Sequence, residues 1–324
     1  MKFRHKILLP IVALLVLYRI GPVMDTEPSD SKLPMVMYDI NSVSSFVENK
    51  EAHFNTKQDN EARIIWGDSV NKKTEYVLLY LHGFSASWYE GYPVNTDFQK
   101  HFGCNAYFAR LHEHGLVSDA PLLDMTPKKL YDSAKEALLI AKTLGDKVII
   151  MSTSTGGTLS LMLAADYPDL VAGQILYSPN IEIKQGSAKL LPMPWGLQLG
   201  RMVEGEMRKL EGSELESKYW DLEYRIEATI YLQQLLNERM NEATFSKVTC
   251  PTFVGYYYKD KKNQDDIVRV SAIKEMYNLL SSEVKQEMSF PDAGRHTIAF
   301  VEAGNPAAVT EATIDFVEEK IMKQ

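Results

Sequence analysis

Two cysteines in 324 residues are too few for a disulfide framework, and neither belongs to a CxxC pair. Cys104 and Cys250 lie inside or beside the apolar runs 105–109 and 251–257, so both read as buried free thiols, small hydrophobes with a weak donor. No HExxH motif and no histidine-rich tract occurs among the seven histidines, so no structural or catalytic metal is expected. Basic residues are the minority, 35 against 43 acidic, giving a net charge of -8 and a pI near 5.5. Phosphate binding needs clustered Lys and Arg to displace counterions, and clustering is confined to the first six residues, so a nucleic-acid partner is excluded. There are no internal repeats and no low-complexity tracts.

The N-terminus has a distinct layout. Lys2, Arg4 and Lys6 precede an apolar stretch, Ile7 to Ile20, interrupted by Pro10 and by Arg19. A basic region followed by an apolar one is the pattern of a secretory signal. Tyr18-Arg19-Ile20-Gly21-Pro22 is a poor cleavage site, which turns the reading of residues 1–24 from a cleaved signal peptide toward an uncleaved signal anchor. The stretch is shorter than the roughly 20 residues that span a bilayer comfortably, and Pro22 to Met24 bring it close. Positive charge stays on the cytoplasmic side. The expectation is an exported protein, membrane-anchored by its N-terminus, with the remainder on the non-cytoplasmic side. Residues 25–35, polar and holding Pro28 and Ser29, read as a linker.

From residue 36 the pattern alternates. Tyr76 to Leu81 is a continuous apolar run ending at His82-Gly83, as suits a strand buried on both faces. Cys104 to Leu111, Val148 to Met151 and Gly173 to Tyr177 read as further strands. Pro127 to Leu144 reads as a helix with Thr126 as N-cap and Gly145 as its stop. A small-residue, Leu-rich helix is predicted over Thr158 to Tyr167. Residues 180–245 interrupt the alternation with helical segments, notably Tyr219 to Met240, and no convincing strand. Alternation resumes with a strand at 252–258, a helix at 271–280, a strand at 285–290 and a helix at 306–322. Strands alternating with helices imply an α/β fold, a mostly parallel central sheet with flanking helices. The all-helical insert reads as a lid over the carboxyl ends of the strands. The domain organisation is therefore a core in two parts, 36–179 and 246–324, with the lid at 180–245.

The chemistry centres on Val148-Ile149-Ile150-Met151-Ser152-Thr153-Ser154-Thr155-Gly156-Gly157, a buried strand turning sharply into an apolar helix. Such a turn thrusts the hydroxyl of Ser154 out of the sheet, and small neighbours let the backbone pass. The helix N-terminus sets the Thr155 amide where it can stabilise an oxyanion. Ser152 takes the place of the first glycine in G-x-S-x-G, and stands as the rival nucleophile. Leu81-His82-Gly83-Phe84 follows the first buried strand, and the Phe84 amide is the second candidate oxyanion donor. A triad ordered Ser, acid, His needs an acid after a later strand and a C-terminal histidine. Asp260, Asp265 and Asp266 follow the 252–258 strand. His296, in Pro291-Asp292-Ala293-Gly294-Arg295-His296, is the only histidine in the second half of the chain. His82, His112 and His114 read as structural.

These residues resemble the α/β-hydrolase fold, and within it the group of esterases, monoacylglycerol lipases and serine aminopeptidases. The matching segments are HGF (82–84), STSTGG (152–157), QDDIV (264–268) and GRH (294–296), with Arg110-Leu111-His112-Glu113-His114-Gly115 similar to that group's R-L-x-G-H-G. The resemblance covers about residues 60 to 322. The group's acid stands as D-x-[IV]-V, which Asp265-Asp266-Ile267-Val268 satisfies, so the resemblance implies Asp265 as the acid, with Asp266 and Asp260 as alternatives. The implied function is a serine hydrolase cleaving carboxylic esters of small acyl substrates through an acyl-enzyme on Ser154, with His296 as base and without a cofactor. A peptidase or amidase of the same fold, and a non-catalytic lipid- or partner-binding module, are the competing readings.

Overall fold

The computed structural model describes residues 15–323. The strands are β1 (Arg63–Ile65), β2 (Thr74–Leu81), β3 (Asn105–Phe108), β4 (Gly145–Thr153), β5 (Val171–Tyr177), β6 (Met207–Lys209), β7 (Glu223–Arg225), β8 (Thr252–Tyr256) and β9 (Lys285–Ser289). Seven of them form one sheet in the order β1-β3-β2-β4-β5-β8-β9, while β6 and β7 pair separately. Every neighbour in the large sheet is parallel except β1, which runs antiparallel to β3.

Successive side chains of a strand point to opposite faces. In β2, Val77, Leu79 and Leu81 accordingly join one apolar cluster, and Leu78 and Tyr80 the other. Ile149 and Met151 of β4 lie with the second set, Val148 and Ile150 with the first. Helices Pro127–Leu144, Thr155–Asp166 and Val270–Leu279 cover the first face, and Val94–Phe102 and Pro306–Val317 the second. Two covered faces explain why these strands are apolar throughout.

The 127–144 helix begins as expected, Thr126 Oγ1 accepting from the Lys129 amide. It stops at Leu144 with Gly145 as the C-cap, as expected, but not in the left-handed conformation common at such caps. Gly145 is extended (φ -159°) and is already the first residue of β4. A Cβ there would stand 2.7 Å from Val77 Cβ, and glycine is needed for the close approach of β2. Both cysteines are buried and free.

The 180–245 segment is not all-helical. It contains the β6–β7 pair, and the helix expected over 219–240 is divided into Glu214–Tyr219, β7 and Ile226–Arg239. Three-residue strands are too short to show a period of two, which is why they were invisible in the pattern. The Ser213–Glu216 capping box starts the short helix, and Trp220, in an extended conformation, ends it. The segment lies between β5 and β8, which are hydrogen-bonded neighbours, so the chain departs from and returns to the same part of the sheet.

Residues 25–35 do not hang free. Gln234 Nε2 donates to the Met24 carbonyl at 2.6 Å, and Lys135 Nζ donates to the carbonyls of Asp30 and Lys32 at 3.0 and 2.9 Å. Further upstream, Trp195 donates from its backbone amide to the Pro22 carbonyl and from Nε1 to that of Leu17. The expected membrane-anchored, exported placement is corrected here: among the described residues no helix is long and apolar enough to cross a membrane. The remainder of the expected signal or anchor, residues 1–14, lies outside the described residues.

Ile150 is fully buried at the centre of the sheet. Ile150→Ala is expected to lower stability by about 2–5 kcal/mol, read as a reduced urea midpoint with an unchanged m-value.

Candidate active site

The loops that follow β2, β4, β8 and β9 carry the candidate residues, and in a parallel sheet all four leave from the same, carboxyl edge. Ser154 comes directly after β4 and has φ 53°, ψ -116°, a region that L-residues rarely occupy. Its amide donates to the Tyr177 carbonyl at 2.9 Å, and its carbonyl accepts from the amides of Gly157, Thr158 and Asn180. The turn is closed against the sheet. A Cβ on Gly156 would lie 2.0 Å from the Leu81 carbonyl oxygen, and one on Gly157 would lie 2.7 Å from Pro179 Cβ. Ser152 is fully buried and its hydroxyl donates to the Ile175 carbonyl of β5 at 3.2 Å, so it is spent within the sheet.

The His82-Gly83-Phe84 turn passes close to Ser154. A Cβ on Gly83 would meet Glu90 Oε1 at 2.8 Å and Ser154 Cβ at 3.1 Å. The amides of Phe84 and Thr155 meet no acceptor among the described residues. His82 Nε2 accepts from the Leu111 amide at 3.0 Å, which leaves Nδ1–H to donate to the Gly83 carbonyl at 2.9 Å. Burial pushes the His82 pKa down to about 4, so the ring is a neutral strut between two strand ends. His114, also buried and held below its ordinary pKa by burial, backs the Phe84 ring at 6.3 Å. Phe84 also meets Tyr224 edge-on at 5.0 Å.

Asp265 is wholly buried. Its Oδ1 accepts from the amides of Ile267 and Val268, both at 2.9 Å, and its Oδ2 lies 2.7 Å from His296 Nδ1. The excursion before it folds back on itself: Tyr258 bridges to Gln264, and the Asp265 amide returns to the Tyr257 carbonyl. Of the alternative acids, Asp266 borders the cavity, whereas Asp260 closes a surface turn with Lys262 and Asn263. Burial disfavours the His296 imidazolium, but the neighbouring Asp265 carboxylate outweighs it and holds the pKa above the ordinary histidine value. Burial likewise raises the Asp265 carboxyl, while His296 and the two amides more than offset it and keep the pKa low. His296 Nε2 is buried with no partner.

Ser154, Phe84 and His296 line one cavity of about 680 Å³. Much of its remaining wall comes from the 180–245 segment, including Leu190, Leu191, Leu199, Leu222 and Ile226. Glu90 also borders it, a residue the sequence did not single out. A lone glutamate seven positions beyond the His-Gly turn carries no motif, and only folding brings it back. The one grouping of metal-type ligands among the described residues, His112, Glu113 and Asp124, lies outside this cavity, and Asp124 pairs with Lys129.

A parallel sheet whose central strand breaks through a positive-φ serine into a helix, with a His–Asp pair beyond the last strands, defines an α/β hydrolase. The family model described as serine aminopeptidase, S33, matches residues 129–290, and the chain belongs to this family. No curated protein matches the chain in sequence. Among solved structures, that of the metagenome-derived lipolytic enzymes LipS and LipT is similar with a TM-score of 0.67 at 16% identity, covering 82% of this chain and 99% of that one. The monoacylglycerol lipase of Paleococcus ferrophilus gives 0.57 at 14% identity over 79% and 98% of the two chains. A soluble variant of the Saccharomyces cerevisiae monoglyceride lipase gives 0.56 at 13% identity over 80% and 91%. At these identities the likeness is one of fold.

Gly156 faces backbone rather than a flexible side chain, so Gly156→Ala cannot be relieved by a rotamer change. It is expected to cost roughly 1–3 kcal/mol, seen as a lower melting temperature; an unchanged melting curve would contradict the tight turn.

Proposed function

We propose that the protein is a serine hydrolase that cleaves carboxylic esters through an acyl-enzyme on Ser154. The observation that carries this reading is the shared cavity: a serine held at positive φ opens onto it beside a histidine whose other nitrogen is 2.7 Å from a buried aspartate. His296 Nε2, buried and unpartnered, is free to take the Ser154 proton as Oγ bonds to the substrate carbonyl carbon. The resulting oxyanion is received by the Phe84 and Thr155 amides, each contributing on the order of 3 kcal/mol. The tetrahedral species collapses, the alcohol leaves with the proton from His296, and Ser154 keeps the acyl group. Water then attacks the acyl carbon as His296 removes its proton, and the acid departs with Ser154 restored. Asp265 stays ionised throughout and stabilises the imidazolium.

Ester rather than amide chemistry is favoured by the wall of the cavity. Residues 180–245 act in this reading as a cap over the strand ends, and their leucines suit an apolar acyl chain. Cleavage of aminoacyl amides has the family's description as serine aminopeptidase in its favour. Glu204, Glu211 and Asp266 border the same cavity and could receive an ammonium group.

Hydrolysis of a p-nitrophenyl acyl ester series beside aminoacyl anilides, with fluorophosphonate labelling, tests the proposal. Ser154→Ala is expected to abolish labelling and to lower kcat by roughly 10⁶. Label retained in that variant would sink Ser154 as nucleophile, and anilides turned over faster than every ester would replace esterase with amidase. The base must be neutral to act, so the acid limb of kcat/KM is expected above the ordinary histidine value of 6.5. Asp265→Asn removes the cause of the shift, and should move that limb to lower pH while reducing kcat by about 10⁴.

A further inference from the structure

Glu90 has no part in the acyl-transfer scheme, yet it is 2% exposed and stands at the same site. It sits on a single 3-10 turn, Trp88–Gly91, and its Oε2 accepts from the Gly83 amide at 2.6 Å. That amide belongs to the turn that presents the Phe84 amide to the cavity. The groups that face the carboxyl are Tyr80 from β2, the Gly83 amide, and Arg295 and His296 from the loop after β9. None of them forms an ion pair with it. Arg295 is committed elsewhere, to Glu216 and Glu302, and the Tyr80 hydroxyl is shared with Thr153 Oγ1 at 3.1 Å. A buried carboxylate without a counter-ion is costly, and such groups keep their proton.

We propose that Glu90 is a positioning residue of this site that works uncharged, propping the Gly83–Phe84 turn from beneath while keeping negative charge away from the place where the oxyanion forms. The inference rests on the acyl-enzyme reading for its catalytic meaning. A neutral acid still accepts from Gly83 through its carbonyl oxygen, less strongly than a carboxylate would, and fixes where Phe84 N–H points. An ionised one would repel the oxyanion and would also tighten the proton on His296. The direction of titration agrees: burial pushes the Glu90 pKa up to about 8, against the pull of the Gly83 amide, His296 and Arg295.

The experiment compares wild type, E90Q and E90A across pH 6–10, measuring kcat and KM for a p-nitrophenyl ester and the melting temperature. Glutamine accepts from Gly83 and cannot ionise, so E90Q should stay within about threefold of wild-type kcat at pH 7, while E90A, which lets the turn collapse, should lose far more in kcat than in KM. One pH unit above the pKa about a tenth of Glu90 keeps its proton, so at pH 9 E90Q should exceed wild type by up to about tenfold. Stability follows the same sign. A carboxyl with a raised folded pKa contributes stability that is complete below its unfolded value and lost as pH rises through about 8. Wild type should therefore lose melting temperature relative to E90Q between pH 6 and 9. This second readout needs no substrate. A constant melting difference, superimposable pH profiles, or E90Q as impaired at pH 7 as E90A would each overturn the proposal. Absence of both turnover and fluorophosphonate labelling in wild type is instead the failure of the acyl-enzyme reading, and the melting comparison still decides whether Glu90 is uncharged. Should E90Q not fold, wild type alone decides: a kcat with no alkaline decline up to pH 10 overturns it.

Discussion

The backbone of Ser154, turned to φ 53° and ψ -116°, is the constraint to which the surrounding structure answers. A residue in so sparsely populated a conformation costs on the order of 1–3 kcal/mol and persists only where its neighbours over-determine it. Here they do. The amide is tied to β5 through the Tyr177 carbonyl, and the carbonyl takes three amides, two from the following helix and one from Asn180. Gly156 and Gly157 are the compensating residues, because the turn can press against Leu81 and Pro179 only if no Cβ intervenes. The buried apolar sheet on both sides supplies the rigidity that keeps the strain from relaxing.

Burial then sorts the ionisable groups around that turn. His82 and His114 are buried without a carboxylate partner and are driven to the neutral state. His296 is buried against Asp265 and is driven the other way. Asp265 keeps its charge because two amides and the imidazole attend it, while Glu90, with one amide, a share of the Tyr80 hydroxyl and no ion-pair partner, is pushed by burial toward its acid form. Residues of one chemical type are thus set to opposite states by their partners, the arrangement by which a site separates roles at one pH.

The segment between β5 and β8 and the residues upstream of β1 belong together. The N-terminal strap bonds to Trp195 and Gln234, both in the segment that walls the cavity. Lys135 holds the same strap through two carbonyls and through Asp30, and is itself buried among acids. Residues that read in isolation as a tether therefore brace the part of the molecule that borders the cavity.

The central strands were legible in the sequence because they are short, largely apolar runs, three of which (β2, β4 and β5) end at glycine, serine or proline turns, and the helices 127–144 and 270–279 because their apolar residues recur at helical spacing. The Ser-Thr-Ser-Thr-Gly-Gly turn and the ordered aspartates and histidine were legible for the same local reason: short-range backbone chemistry writes a short-range motif. Those signals dictated the α/β alternation and named the candidate residues. What they could not carry was distance. The D-x-[IV]-V resemblance pointed to Asp265 among Asp260, Asp265 and Asp266, but its 2.7 Å approach to His296 depends on the fold-back of residues 258–264. Finding Glu90 required the packing of a 3-10 turn beneath another loop, and dividing the 180–245 segment required a two-stranded pairing with three residues to a strand. Local propensity and periodicity are properties of neighbours along the chain, whereas burial, charge state and convergence at the sheet's edge exist only once remote segments have excluded water from one another.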